Sequence, residues 1–199
     1  MHTPILRLAF AAALIATPGL AAAEPFEGPH VEAVAGWNHV EKDGHARSGD
    51  GVVYGGSLGY DIRSGKVAGG ALAEINDSSG SACSDLEVQG KVAGKFCSHS
   101  GRSIFAGARL GFVAGEHTLL YVLGGYVNVR QRESFEGGKG APLADRSFSK
   151  NRDGFRVGAG AERAISKQAF IKAEYRYTDV KGNSGAGQHQ ILTGVGIRF

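Results

Sequence analysis

The sequence predicts an all-β fold, an eight-stranded antiparallel transmembrane β-barrel with short periplasmic turns and longer extracellular loops. Three observations carry this. Segment after segment alternates apolar residues with polar residues or glycine, the period-two signature of a strand with two unlike faces. Charged members fall on the glycine-rich face while the opposite face is nearly uncharged, as expected where lipid covers one side and a polar lumen the other. The links alternate between short and long, which is the asymmetry of an outer-membrane barrel.

The last stretch, residues 189–199 (HQILTGVGIRF), shows the pattern most clearly. Ile191, Thr193, Val195, Ile197 and Phe199 share the outward face; Leu192, Gly194, Gly196 and Arg198 share the inward one. From the front, residues 30–40 set Val31, Ala33, Ala35 and Trp37 outward against Glu32, Val34, Gly36 and Asn38. A polar link at 41–50 follows. Residues 51–60 place Val52, Tyr54, Leu58 and Tyr60 outward, and a tight link at 61–65 leads to residues 66–75, with Leu72 and Glu74 inward. This third strand is poor in β-formers and rests mainly on its context. Residues 76–101 form a long excursion that carries both cysteines, with 88–96 a candidate extended piece.

In the middle hairpin, Ile104, Ala106, Ala108, Leu110 and Phe112 face out and Phe105, Gly107 and Arg109 face in. Past a turn at 113–117, residues 119–130 are apolar on both faces at the start, so Asn128 and Arg130 set the phase. That phase places Tyr121 outward and Arg130 inward. After a second long loop at 131–153, Phe155, Val157, Ala159 and Ala161 face out against Arg156 and Glu162. A turn at 164–168 precedes Ile171, Ala173, Tyr175 and Tyr177, outward, against Lys172, Glu174 and Arg176, and a polar link at 180–188 reaches the closing strand. Trp37, Tyr54, Tyr60, Phe112, Tyr121, Tyr175, Tyr177 and Phe199 are the candidate interface aromatics.

Residues 1–23 read as a signal peptide: Arg7, an apolar core from Leu8 to Ile15, the breakers Pro18 and Gly19, and a small-residue cleavage site at Ala21, Ala22 and Ala23. The core is shorter than the roughly 20 residues a spanning helix needs. Residues 24–199 then form one barrel domain. Glycine supplies 32 of 199 residues, against about 7% in ordinary proteins, which suits tight curvature and inward space for large side chains. The net charge of +3 is spread along the chain with no basic block, which argues against a nucleic-acid partner. Cys83 and Cys97 are the sole cysteines, and in an exported chain a single disulfide is expected.

The inward set Glu32, Glu74, Glu162 and Glu174 against Arg109, Arg130, Arg156, Lys172, Arg176 and Arg198 predicts a lumen charge network. Eight strands leave an interior just wide enough for side chains to fill, and charges there must pair because a lone buried charge is costly. The alternatives are a narrow porin or ion channel through the same lumen, and a soluble periplasmic ligand-binding barrel, which would turn its apolar face inward. His39, His45, His99, His117 and His189 fall at loops or strand ends, so no catalytic residue, metal site or cofactor is assigned. The run 97–100 (CSHS) is the one hint of an outer-membrane lipid-modifying enzyme, and adjacency of Ser and His in sequence is not a catalytic triad. GGKG at 137–140 lacks the spacing of a phosphate loop.

Five stretches carry a family resemblance: AGARLGF at 106–112, TLLYVLGGYVNVR at 118–130, GFRVGAGAE at 154–162, IKAEYRYTDV at 171–180 and the closing GVGIRF. Across residues 29–199 the chain resembles the small outer-membrane β-barrel proteins of Gram-negative bacteria, the porin-like or opacity type related to the OmpA transmembrane domain. The resemblance implies eight antiparallel strands in the cell outer membrane among its lipids and lipopolysaccharide. It also implies insertion by the outer-membrane assembly machinery through the last strand and Phe199, and a non-enzymatic role in envelope structure or surface interactions; the oligomeric state is left open by the sequence, with a monomer expected. The cysteine-bearing loop departs from the plain family pattern.

Overall fold

The computed structural model describes residues 25–40, 49–79, 81–88, 91–137, 146–180 and 187–199. The signal-peptide assignment at 1–23, most of the 41–50 link and the GGKG residues 138–140 therefore lie outside the described residues. Nine strands are present among them: β1 (Gly28–Val40), β2 (Gly49–Ser64), β3 (Val67–Ser78), β4 (Ser81–Val88), β5 (Lys91–Ala114), β6 (Thr118–Gly137), β7 (Arg146–Ala164), β8 (Ala169–Val180) and β9 (Gly187–Arg198).

Eight of the nine close into a barrel. The order runs β3-β2-β1-β9-β8-β7-β6-β5, and β3 pairs back onto β5, every neighbour antiparallel. The seam between the first and last strands is zipped from His30 opposite Arg198 to Val40 opposite Gln188. Closure matters because an open edge in hydrocarbon leaves backbone groups unpaired at several kcal/mol each. The extra strand β4 lies outside the ring and pairs with the outer part of β5.

Short turns join the strands at one end. Gly65 (φ +60°) and Gly115 (φ +71°) occupy the left-handed region that lets two of these links reverse in so few residues. At the other end the strands overrun the membrane. β5 has 24 residues and β6 has 20, about twice the 9–11 that a tilted spanning strand needs. Much of the sequence taken as loop, 76–101 and 131–153, is therefore strand: β6 and β7 stay paired out to Phe135 opposite Arg146. Polar composition there reflects a hairpin standing in water, where period-two apolarity is not required.

The two faces obey the alternation. Outward residues such as Leu58, Ile62, Ile75, Leu110, Val157, Ile191 and Val195 are exposed, and aromatics border them at both ends: Tyr60, Phe112 and Phe199 towards the turns, Trp37, Tyr54, Tyr126, Phe155 and Tyr175 towards the loops.

β6 corrects the sequence reading. Leu119, Tyr121, Leu123, Val127 and Val129 are buried in the lumen, while Leu120, Val122, Tyr126 and Arg130 face out. Arg130 is thus not a lumen charge, and Tyr121 is not an interface aromatic. The reason is height. Polarity reports the lumen only within the hydrocarbon band, and Asn128 and Arg130 stand above it, where an outward residue meets water and headgroups.

Candidate functional site: the charged lumen

The interior holds two ion-pair clusters stacked along the barrel. Nearer the turns, Asp61 on β2, Arg109 on β5, Glu162 on β7 and Arg198 on β9 form a closed ring in which carboxylates and guanidiniums alternate. Arg109 donates from Nε to Asp61 Oδ1 at 2.9 Å and from Nη1 to Glu162 Oε2 at 2.9 Å. Arg198 donates from Nη1 to Asp61 Oδ2 at 2.7 Å and from Nη2 to Glu162 Oε1 at 2.8 Å. Arg109 grips Asp61 with two nitrogens and Arg198 bridges Asp61 and Glu162, so all four carboxylate oxygens accept at least one guanidinium bond, which a buried ion pair needs if it is not to cost stability. His30 lies against this ring, its Nδ1 3.3 Å from Asp61.

Above it, an alternating chain of charges runs across four strands, β1, β8, β3 and β7. Glu32 accepts from Ser57 Oγ and from Lys172 Nζ, each at 2.5 Å; Lys172 also reaches Glu174 at 3.4 Å. Glu174 pairs with Arg176, whose two terminal nitrogens clamp Glu74 at 2.5 and 2.6 Å. Arg156 completes the chain with 3.1 Å to Glu74, 3.0 Å to Thr178 and 3.0 Å to Ser103. Its guanidinium also lies 5.3 Å from the centre of the Phe105 ring, a cation–π contact.

Tyr121 links the clusters. Its hydroxyl donates to Glu174 at 2.5 Å and its ring carries the Arg109 guanidinium at 5.3 Å. Glycine makes the room: a Cβ at Gly160 would lie 2.8 Å from the Tyr121 hydroxyl, and one at Gly196 would lie 2.3 Å from the Phe170 ring.

Five carboxylates (Glu32, Asp61, Glu74, Glu162, Glu174) thus meet five cations (Arg109, Arg156, Lys172, Arg176, Arg198), and each is buried. Nine of the ten lumen residues expected from sequence come together here. Arg130 does not, and Asp61, His30 and Tyr121 join unforeseen. Asp61 was legible, since carrying the β2 alternation one step past Gly59 turns it inward; the tight-link reading cut the strand short.

At the turn end Phe26 is 1% exposed, held at φ +68°, and lies beside Phe170 and Arg198. Arg63 donates to the Pro25 carbonyl at 2.9 Å and ties this segment to β2. A cleft of about 10 Å³ beside Phe26, Phe170 and Arg198 is no larger than a single water site.

At the opposite rim, His39 bonds Asp50 at 2.7 Å and His189 bonds the Tyr175 hydroxyl at 2.6 Å. The His39 contact holds the Asp50 carboxyl below its usual range. His117 lies exposed in a turn, and His45 is outside the described residues. Cys83 stands directly opposite Cys97 in the β4–β5 pairing.

A closed antiparallel barrel with an apolar, aromatic-bordered wall and a charged interior defines an outer-membrane β-barrel protein. Residues 8–199 match the model of the family described as "Outer membrane protein beta-barrel domain", and the chain belongs to that family. The chain is 37% identical over 73 residues to the 31 kDa outer-membrane immunogenic proteins of Brucella melitensis and Brucella suis. That match covers 37% of this chain and 30% of each relative, so less than a third of their length is spanned. Among solved structures, Neisserial surface protein A superposes with a TM-score of 0.55 at 19% identity, covering 87% of this chain and 98% of that one. Ail of Yersinia pestis, solved with the heparin analogue sucrose octasulfate, gives 0.53 at 18%, covering 87% and 99%. The N-terminal barrel of Pseudomonas aeruginosa OprF gives 0.53 at 17%, covering 87% and 98%. These structures share the fold. The protein resides in the cell outer membrane.

Proposed function

We propose that this protein is a non-enzymatic component of the outer-membrane envelope, a rigid barrel with a sealed lumen whose long hairpins present a surface outside the cell. One observation carries the reading: the interior charges are matched five to five and interlocked. An ion entering such a path would have to break pairs that already satisfy one another, and Phe26 stands behind them. The wall is solvated by outer-membrane lipids, lipopolysaccharide among them. Insertion by the assembly machinery through β9 and Phe199 follows from the family resemblance, and the Phe199 N–H donating to the Pro29 carbonyl at 2.9 Å extends the closing seam.

Planar-bilayer recording tests the seal. The protein is expected to give no stable conductance steps. Phe26→Ala alone is expected to stay closed, because the Asp61–Arg109–Glu162–Arg198 ring lies behind it. Discrete steps from the unaltered protein would overturn the sealed reading in favour of a narrow channel.

We further propose that Cys83 and Cys97 are bridged. Their directly opposed positions and the lack of a free cysteine among the described residues support this. The bridge would close a loop of about 15 residues, worth roughly 3 kcal/mol on the chain-entropy account. Under denaturing, non-reducing conditions a maleimide reagent is expected to label neither cysteine, and both after reduction. Labelling before reduction would refute the bridge.

A further inference from the structure

Three arginines gather on the outward side of the loop-end rim. Arg130 and Arg132 are alternate, exposed residues of β6 on the face that carries Val122 and Tyr126 lower down. Arg102 is exposed on β5, preceding the buried Ser103, at a bulge where one extra residue enters between Ser100 and Ser103. The bulge brings Arg102 alongside: a Cβ at its neighbour Gly101 would sit 2.9 Å from the Arg130 carbonyl oxygen. Among the described residues none of the three makes a side-chain hydrogen bond or ion pair. Below them Asp153 accepts from Tyr126 at 2.5 Å and Asn128 at 2.7 Å, and Asp77, exposed one step beyond the Asn76–Ser103 pair on the Arg102 side, accepts from the Ser78 N–H at 2.8 Å. This contrasts with the lumen, where every buried Arg is paired.

Height identifies what these cations meet. Arg130 lies four residues beyond Tyr126, about 13 Å along the strand at roughly 3.3 Å per residue. With a strand tilt of 35–45°, that is about 10 Å above the aromatic border, at the outer edge of the headgroup layer. Directly beneath lies a lipid-facing wall of Ile104, Leu110, Val122 and Tyr126. A molecule that presents anions to the arginines and acyl chains to this wall is a phosphorylated glycolipid of the outer leaflet.

Resting on the reading that lipopolysaccharide solvates this barrel, we propose that Arg102, Arg130 and Arg132 form a specific seat for its phosphorylated headgroup. The lipid phosphates supply the counter-ions that these side chains lack among the described residues, and the acyl chains pack on β5 and β6.

The test uses the full chain refolded in phosphatidylcholine vesicles, with purified bisphosphorylated lipid A titrated in and retention measured by native mass spectrometry. The variant R102Q/R130Q/R132Q keeps the heat-modifiable folded band, because the three side chains are exposed and make no ion pair among the described residues. It is expected to hold lipid A about a hundredfold more weakly, at the scale expected for three cations beside an anionic surface. A control triple at the turn end, K66Q/R163Q/K167Q, is expected to retain it. Equal retention by wild type and the rim variant would overturn the seat while leaving general lipid contact standing. Failure of the unaltered chain to insert into vesicles would overturn the lipid reading itself. Displacement of lipid A by inorganic phosphate or a sulfated polysaccharide at matched charge would also overturn the seat, because it would show a soluble-anion site.

Discussion

Glu74→Ala is expected to destabilise the barrel by about 3–5 kcal/mol, the range seen when one partner of a buried ion pair is removed. Glu74 is 3% exposed and accepts from both terminal nitrogens of Arg176, from Arg156 and from Asn76. Taking away its carboxylate leaves two guanidiniums facing each other in a water-poor interior, with only Glu174 left to Arg176 and neutral hydroxyls left to Arg156. The measurement is the urea midpoint of the folded, heat-modifiable band in lipid vesicles. The double variant E74L/R176M is expected to recover part of the loss, since a cation departs with the carboxylate; coupling of 0.5–3 kcal/mol is typical of contacting residues. A Glu74→Ala loss below about 1 kcal/mol would show that water reaches the cluster, and the interlocked interior would no longer support a sealed lumen.

How well the sequence reports this molecule depends on where in the membrane a residue sits. Within the hydrocarbon band the lipid enforces apolarity on one face, so strands such as β8 and β9 show their phase plainly. Lys172, Glu174, Arg176 and Arg198 all lie inward where the alternation puts them. Above the band nothing enforces it, and the paired extensions of β5, β6 and β7 read as loop. Pairing across strands is a further step that no single segment encodes. That Arg109 and Arg198 share Asp61 and Glu162 follows from closing the ring, with register set by the seams β1–β9 and β3–β5. Tyr121 was illegible for a different reason. β6 is apolar on both sides in the band because its inner face packs an apolar patch with Phe105, Leu119, Leu123 and Val127, so its alternation carries no contrast.

That ambiguity makes β6 the place where the structure can be tested most sharply. Val122 is 58% exposed and lies opposite Leu110 and Ala159 on the lipid face, whereas its neighbour Leu123 is 5% exposed and lies opposite Arg109 and Gly158. Val122→Arg is therefore expected to cost about 2–4 kcal/mol, the penalty for a cation near the midplane of a barrel's lipid face. Enlarging the same positions should give contrasting results. Val122→Phe adds apolar area where lipid yields, and is expected to change stability by less than about 1 kcal/mol. Leu123→Phe must find space in a lumen where a Cβ at Gly158 would already lie 3.4 Å from Leu123 Cγ, and is expected to cost about 1–3 kcal/mol as overpacking does. Urea midpoints in vesicles decide between the phases. If Val122→Phe were the damaging change and Leu123→Phe the tolerated one, β6 would be turned the other way. Tyr121 would then leave the lumen for the lipid face, and the bridge it makes between the two ion-pair clusters would be lost with it.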